Sequence, residues 1–284
     1  MSYSFSVKTM KQIVKNRTMI FLLGLLLILG IGLYYYFTSF LEHFDNNTQK
    51  VYAMSFGGGS QNFHDAVLRI KNELSNANVF DDITIYTDHD LKKDTSFWNK
   101  HKEFIENNSR GYGYWIWKPY LIMKTFEKMN NNDILLYLDA GCELPNNEKN
   151  KDKILELINK CNENNILYTR TGHNEKMYTK MDLIDYMNMN NDNIKNSTEN
   201  QSGFIFVKKN EKTVQFINEW YTIACNYHLI DDSPSILQND PSFVEHRHDQ
   251  SIFSLLTKSV KYNFNNENNL IDSSPFLLSR KRSG

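Results

Sequence analysis

Cysteine is scarce in this sequence, and so is any surplus of charge. Three cysteines occur in 284 residues without a Cys-x-x-Cys pair, so at most one intramolecular disulfide can form. Neither a zinc site nor a disulfide framework is therefore indicated. The formal net charge is −1 and 40% of the residues are hydrophobic, which argues against both nucleic-acid binding and disorder. No internal repeat is visible.

One long hydrophobic run lies near the amino terminus. Met19–Phe37 carries no charge and is about long enough to cross a hydrocarbon core of roughly 30 Å as a helix. Basic residues precede it and acidic residues follow it, so the positive-inside rule predicts a type II anchor. The alternative is a cleaved signal peptide, but the run exceeds a typical apolar segment of that kind and no clear cleavage site follows.

This interpretation divides the chain into four parts. We expect a cytosolic tail (1–18), a transmembrane anchor (19–37), a short stem (38–50) and one large domain (51–284). The large domain would then face the lumen of the endoplasmic reticulum or Golgi in a eukaryotic or viral setting, or otherwise lie outside the cytoplasm.

Strand-like and helix-like segments alternate through the large domain. Such alternation predicts an α/β sandwich with a mostly parallel central sheet, preceded by the one transmembrane helix. The expected strands are Val51–Phe56, Ile83–Thr87, Asp133–Asp139, Ile166–Tyr168 and Phe204–Val207, and the clearest helices are Pro119–Met129 and Glu211–Cys225.

The stretch DILLYLDAGCEL, Asp133–Leu144, is a continuous apolar run that ends in an acid. An acid at the carboxyl edge of an α/β sheet lies where ligands bind. The stretch resembles the first motif of S-adenosylmethionine-dependent methyltransferases, and also the acidic strand end of metal-dependent sugar transferases. The methyltransferase pattern would continue with further glycines where Glu143 and Leu144 stand, and it usually marks the first strand of its domain.

A second resemblance extends over most of the domain. Arg110–Leu144 is similar to GT-A-type glycosyltransferases of polysaccharide and glycan synthesis, members of the nucleotide-diphospho-sugar transferase superfamily. Further matching blocks follow in order at Tyr178–Met187, Gln201–Asn210 and Glu245–Leu256. The resemblance implies a Rossmann-like GT-A fold and transfer of a sugar, a hexose in our interpretation, from a nucleotide-sugar donor to a glycan or glycoprotein acceptor. The alternatives are a methyltransferase acting on glycans and a non-catalytic, membrane-anchored glycan-binding module.

The donor side of such a site usually contains a divalent cation. GT-A enzymes hold Mn²⁺ or Mg²⁺ with an Asp-x-Asp sequence, and the cation bridges the phosphate oxygens. Here that position is Asp139-Ala140-Gly141, so only one carboxylate remains. We expect Asp139 and Gly141 to contact the donor, and Glu143 or His248 to complete a metal site with Asp139. Asp139 could instead bind sugar hydroxyls without metal, or be a turn residue.

The segment GYGYWIWKP combines aromatic residues with a lysine. Tyr114, Trp115 and Trp117 could pack against the faces of acceptor sugars, although core packing is an equal alternative. Lys118 could neutralise diphosphate oxygens, because a lysine between apolar residues needs an anionic partner if it is buried. Phe56 ends the first strand, and Gly57 begins a glycine-rich turn that could approach the nucleotide, or be only a turn.

EHRHDQ is the densest polar cluster. Asp249 directly precedes an apolar helical pattern, so its carboxylate could be held at a helix start as a catalytic base or as a sugar-orienting acid. The alternative is a helix N-cap. Catalysis is therefore assigned to Asp249 and Asp139.

Weaker signals complete the site prediction. Lys180, Asp182 and Gln201 fall at positions that the resemblance places near the acceptor, although an exposed helix start explains the first two equally well. The basic cluster at 280–282 could fold over the diphosphate, but we expect a frayed, solvated tail.

Overall fold

The computed structural model describes residues 19, 24, 27–36 and 48–281. The chain divides into two units, Met1–Thr48 and Gln49–Gly284. In the first unit, residues 27–36 are helical and exposed. The predicted tail, the rest of the anchor and most of the stem lie outside the described residues. Among the helices that are described, none is both long and apolar enough to span a bilayer.

The second unit contains a five-stranded sheet whose strand order is β2-β1-β3-β5-β4. The strands are β1 (Val51–Gly57), β2 (Asp82–Thr87), β3 (Ile134–Leu138), β4 (Ile166–Asn174) and β5 (Thr198–Lys208). The helices are α1 (Gln61–Asn76), α2 (Asp88–Lys93), α3 (Thr95–Asn107), the turn α4 (Gly111–Tyr114), α5 (Trp117–Phe126), α6 (Glu148–Asn164), α7 (Glu175–Tyr178), α8 (Met181–Tyr186), α9 (Asp192–Lys195), α10 (Glu211–Ala224) and α11 (Asp249–Lys258).

The sheet is mixed, so the prediction of a mostly parallel sheet is wrong. β1 is parallel to β2 and β3, whereas β5 is antiparallel to both β3 and β4. The reason lies in the connection from β4 to β5. Asn174 at the end of β4 pairs with Thr198 at the start of β5, so the chain leaves and re-enters the sheet at the same end of the strands. A strand that starts at the end where the previous strand finished runs antiparallel to it. A parallel strand would need a crossover connection back to the opposite end of the sheet.

The central strand β3 is buried on both faces, which explains its continuous apolar sequence. Ile134, Leu136 and Leu138 pack on the face covered by α1 and α6. Leu135 and Tyr137 point to the opposite face, which α5, α10 and α11 cover. The sheet therefore carries α5 and α11 on the same side as Tyr137, at the end where β3 delivers Asp139.

Candidate active site

Asp139 is the first residue after β3, and its backbone is fixed to the neighbouring strand. Its N–H donates to the Gly203 carbonyl on β5 at 2.9 Å. The buried Tyr137 hydroxyl donates a short hydrogen bond to Asp139 Oδ1. The carboxylate is nevertheless 40% exposed, so one side of it faces solvent while the other is held by the protein.

Lys118 lies beneath Asp139, in the first turn of α5, with a side chain only 2% exposed. Its ammonium is 2.8 Å from Asp249 Oδ2 and 3.5 Å from Asp139 Oδ1. It also donates to Ser202 Oγ at 3.1 Å and lies over the Tyr137 ring, 5.1 Å from the centroid. Burial alone would lower the pKa of Lys118, but the two carboxylates outweigh it and raise that pKa. The lysine is therefore a charged bridge between two acids.

Asp249 is the first residue of α11, and it does not cap that helix. The N-cap position is His248, and the Asp249 carboxylate points instead to Lys118 and to the Ser202 hydroxyl, which donates to it at 2.8 Å. The Asp249 carbonyl accepts from Trp220 Nε1 at 2.9 Å. Burial raises the pKa of Asp249, although Lys118 and Ser202 oppose the shift. The Asp249 side chain is only 4% exposed, so it contacts Lys118 from the protein interior and does not face solvent.

Three residues of this arrangement escaped the sequence-based prediction. Tyr137 lies within the predicted strand Asp133–Asp139, whereas Ser202 and Gly203 directly precede the predicted strand Phe204–Val207 and belong to the longer β5 of the structure. A Cβ added to Gly203 would stand 2.7 Å from Asp139 Oδ2, so a side chain there would displace the carboxylate. Small residues that interrupt a buried strand mark a close approach, and this signal in the Ser-Gly pair could have identified them.

The aromatic residues before Lys118 mostly belong to the core. Trp117 is 4% exposed, lies 3.9 Å from the Phe56 ring and donates from Nε1 to the Gly111 carbonyl. Tyr114 is also buried and stacks on His248 at 4.6 Å. Trp115 is half-buried, 5.6 Å from the same imidazole. Of these residues, Trp115 is the one with surface to offer a sugar.

The turn after β1 is shaped by close packing. Phe56 is buried, and a Cβ at Gly57 would meet the Phe63 carbonyl oxygen at 2.2 Å and Val67 Cβ at 2.7 Å. Gly57 therefore allows α1 to pack closely against the end of β1.

Lys180 and Asp182 hold a loop together. Lys180 is buried and donates to the His228 carbonyl and to Asp231 Oδ1, each at 3.0 Å. Asp182 accepts from the backbone N–H groups of Ile236 and Leu237 at 2.8 and 2.7 Å. These two side chains thus fix the segment 228–239.

Gln201 has a partner on the neighbouring strand. The side chain is half-buried on β5, and its Oε1 accepts from Thr169 Oγ1 at 2.5 Å. Ser202 follows it directly, so Gln201 lies next in sequence to the Lys118 bridge.

The three metal ligands expected from the sequence do not form one set. Glu143 Oε2 is 2.9 Å from Lys281 Nζ, and hydrogen bonds from Ser279 and Lys281 lower the pKa of Glu143. His248 Nδ1–H donates to the Ile230 carbonyl at 2.8 Å, and burial lowers the pKa of His248 to about 4. Across the residues that the structure describes, no cluster of three or more histidine, cysteine or acidic side chains could hold a metal ion.

A second buried acid lies close by on β5. Glu199 accepts from Gln250 Nε2 at 3.0 Å through Oε2, while its Oε1 is buried without a hydrogen-bond partner. Burial, followed by repulsion from the nearby Glu175, raises the pKa of Glu199 to about 8. Glu199 is therefore protonated at neutral pH.

Comparisons with known proteins give only distant similarity. No protein-family model matches the chain, and no curated protein does. Mouse xyloside xylosyltransferase 1 in its apo form is similar with a TM-score of 0.41 and 11% identity, over 75% of this chain and 83% of that one. A glycosyltransferase involved in the glycosylation of the major capsid of PBCV-1 gives a TM-score of 0.38 and 11% identity, over 80% and 82%. Neither similarity is close enough to transfer a residue role to this chain.

Proposed function

We propose that this chain transfers a sugar, a hexose in the first instance, from a nucleotide-sugar donor to a glycan or glycoprotein acceptor. One observation carries the proposal: a buried lysine joins two acids at the carboxyl end of the central strand, and one of the acids is half-exposed. This is the edge of an α/β sheet at which ligands bind. The sequence blocks that resemble sugar transferases include all three residues, Lys118, Asp139 and Asp249.

The geometry supports a different role for each acid. Tyr137 and Lys118 hold Oδ1 of Asp139, which leaves Oδ2 on the side of Gly203 to accept hydrogen bonds from donor hydroxyls. Asp249 is a positioning residue, because it fixes Lys118 and Ser202 rather than meeting solvent. Lys118, Asp139 and Asp249 together carry one positive and two negative charges. Because Asp249 is buried against Lys118, the remaining negative charge lies on the exposed Asp139.

A feature of Gly141 favours this function over methyl transfer. A methyltransferase needs open space beside the glycine that follows the strand-end acid, so that its cofactor can approach the backbone. Here a Cβ at Gly141 would lie 3.2 Å from Arg280 Cα and 3.4 Å from the Arg280 carbonyl carbon. The chain itself fills that space.

A panel of nucleotide sugars tests the proposal. Full-length protein is assayed for donor hydrolysis and for thermal stabilisation by each nucleotide sugar, with S-adenosylmethionine as the control ligand. We expect one or more nucleotide sugars to be hydrolysed slowly and to stabilise the protein. Stabilisation by S-adenosylmethionine alone would support the methyltransferase instead, and glycan binding without turnover of any donor would support the non-catalytic module.

We also propose that Met19–Phe37 anchors the enzyme as a type II membrane protein. The support is the uncharged run and its one-sided basic flank. In sealed microsomes, protease added from outside should leave the large carboxyl-terminal part intact. Digestion of that part would reverse the proposed topology.

A further inference from the structure

The carboxyl-terminal segment crosses the sheet edge beside Asp139. We name Phe276–Lys281 the C-terminal strap. Leu277 and Glu143 exchange both backbone hydrogen bonds, at 2.9 and 2.8 Å, and the Lys281 N–H donates to the Gly141 carbonyl at 2.9 Å. Residues 277–281 are exposed, but the expectation of a frayed tail is wrong as far as Lys281, because these hydrogen bonds pair the strap with the loop that follows β3.

The strap is anchored at both ends. At its start, Phe276 is 3% exposed and packs against Phe204 of β5, with ring centroids 4.9 Å apart. At its end, the Arg69 guanidinium of α1 donates to the Lys281 carbonyl at 3.3 Å and to the Ala140 carbonyl at 2.9 Å. Arg69 thus ties the strap to the residue after Asp139.

Gly141 is the residue that lets the strap lie so close. A Cβ at position 141 would lie 3.2 Å from Arg280 Cα, so the strap would have to shift by a few tenths of an ångström to admit a second acid two residues after Asp139. The strap therefore packs against the position from which a second metal-binding carboxylate would project. This agrees with the poor fit of Glu143 and His248 to a cation site.

The strap brings positive charge to this edge. Lys281 is paired with Glu143, whereas the exposed Arg280 side chain forms no hydrogen bond or ion pair within 48–281. Arg280 also has a φ of 54°, a left-handed conformation that is uncommon for residues other than glycine. A guanidinium can bind two phosphate oxygens at once and needs no deprotonation or coordination geometry to do so.

We propose that the C-terminal strap binds the diphosphate of the donor, with Arg280 supplying the charge that a divalent cation would otherwise supply. The inference rests on the proposed function, since it takes the donor to be a nucleoside diphosphate sugar. When the sugar is transferred, the bond from its anomeric carbon to the diphosphate oxygen breaks and the electron pair stays on the diphosphate. The acceptor hydroxyl oxygen, or water in the hydrolysis assay, forms the new bond to that carbon and gives its proton to solvent. Arg280 stabilises the negative charge added to the diphosphate.

The test measures the binding of nucleoside diphosphates to full-length protein by titration calorimetry. The probes are ADP, CDP, GDP, TDP and UDP and their nucleosides, each in excess EDTA and again with MnCl₂. The variants are Arg280→Gln and, as a control with the same loss of charge, Lys151→Gln on the exposed side of α6.

We expect wild type to bind at least one diphosphate equally well, within about threefold, in EDTA and in MnCl₂. Arg280→Gln should weaken that binding about tenfold or more, leave nucleoside binding unchanged and differ from Lys151→Gln, which should match wild type. Wild-type binding that EDTA abolishes would overturn the inference, as would normal diphosphate binding by Arg280→Gln; either result leaves the proposed function standing. If wild type binds no diphosphate in any condition, the proposed function fails and the inference fails with it.

A second variant checks the strap itself. Gly141→Asp brings a side chain against the Arg280 backbone, so it should shift the strap and weaken diphosphate binding in EDTA. Unchanged binding by this variant in EDTA would overturn the inference.

Discussion

Lys118 shows how a buried charge is tolerated in this site. Moving an ammonium group out of water costs several kcal/mol, and hydrogen bonds with good geometry must offset that cost. Lys118 gains them from Asp249 and Ser202, with Asp139 slightly farther away. The same contacts hold both acids in place, so the lysine organises the site as well as neutralising it.

Removing the lysine charge should therefore destabilise the fold. Lys118→Met leaves Asp249 buried without its partner, and we expect the free energy of unfolding to fall by about 3 to 5 kcal/mol. Chemical denaturation measures this loss. The control is Lys124→Met on the same helix, whose more exposed ion pair with Asp94 at 3.3 Å should contribute about 1 kcal/mol or less. Equal losses in the two variants would show that Lys118 is not a charged bridge.

The raised pKa of Glu199 predicts an unusual dependence of the free energy of unfolding on pH. Its pKa is about 8 in the folded chain and near the ordinary 4.5 in the unfolded chain, so between these values the folded state holds a proton that the unfolded state releases. The stabilisation that comes from protonated Glu199 is therefore fully present below about pH 4.5. It declines as the pH rises towards 8, by up to roughly 4 kcal/mol between pH 5 and 8.

Glu199→Gln should remove this decline, because the amide copies the protonated acid. Denaturation midpoints measured from pH 5 to 8 should show the variant gaining on wild type as the pH rises, while Glu156→Gln on exposed α6 runs parallel to wild type. A difference between Glu199→Gln and wild type that stays constant with pH would mean that Glu199 is ionised in the folded chain.

At the scale of elements, β3 was the most predictable part of the chain and the direction of β5 the least. The apolar run 134–138 is a local signal, and the strand forms there. The direction of β5 depends on where the chain re-enters the sheet, after three short helices, and no local pattern encodes that. Element identity follows from nearby residues, whereas pairing follows from the whole path of the chain.

The candidate site, too, could be predicted from the sequence only in part. Lys118 and Asp139 could be named from the sequence because each is a charged residue beside apolar ones, and Asp249 because it precedes an apolar helical pattern. Their mutual distances could not, because the three come from different elements that meet only in the fold. Tyr137 and Ser202 carry no charge, and only the fold brings their hydroxyl groups to the two acids.

The loop 228–239 gives a prediction at this scale. Asp182 accepts two backbone N–H groups of the loop and the His228 imidazole at 2.7 Å. Asp182→Ala leaves these donors without a partner, so amide protection of Ile236 and Leu237 should drop about tenfold or more in hydrogen exchange. Asp185→Ala, an exposed neighbour on α8, should leave them unchanged. If protection is retained but the acceptor KM rises, Asp182 binds the acceptor as the sequence predicted.

At the scale of the whole molecule, elements from both faces of the mixed sheet meet at the carboxyl end of β3. β3 supplies Asp139, α5 supplies Lys118, and α11 supplies Asp249 from the opposite end of the sequence. The C-terminal strap then closes the edge from the side of α1. The candidate site therefore exists only in the assembled domain.

Turnover of the nucleotide sugar by Asp139→Asn tests the central claim most directly. The donor is the one that the panel identifies, and the control is Asp152→Asn, the same chemical change on the exposed side of α6. Asparagine keeps the size of the side chain and loses the charge, so the free energy of unfolding should change by only about 1 kcal/mol. We predict that Asp139→Asn lowers kcat at least about a hundredfold while Asp152→Asn matches wild type. Near-wild-type turnover by Asp139→Asn would contradict the account.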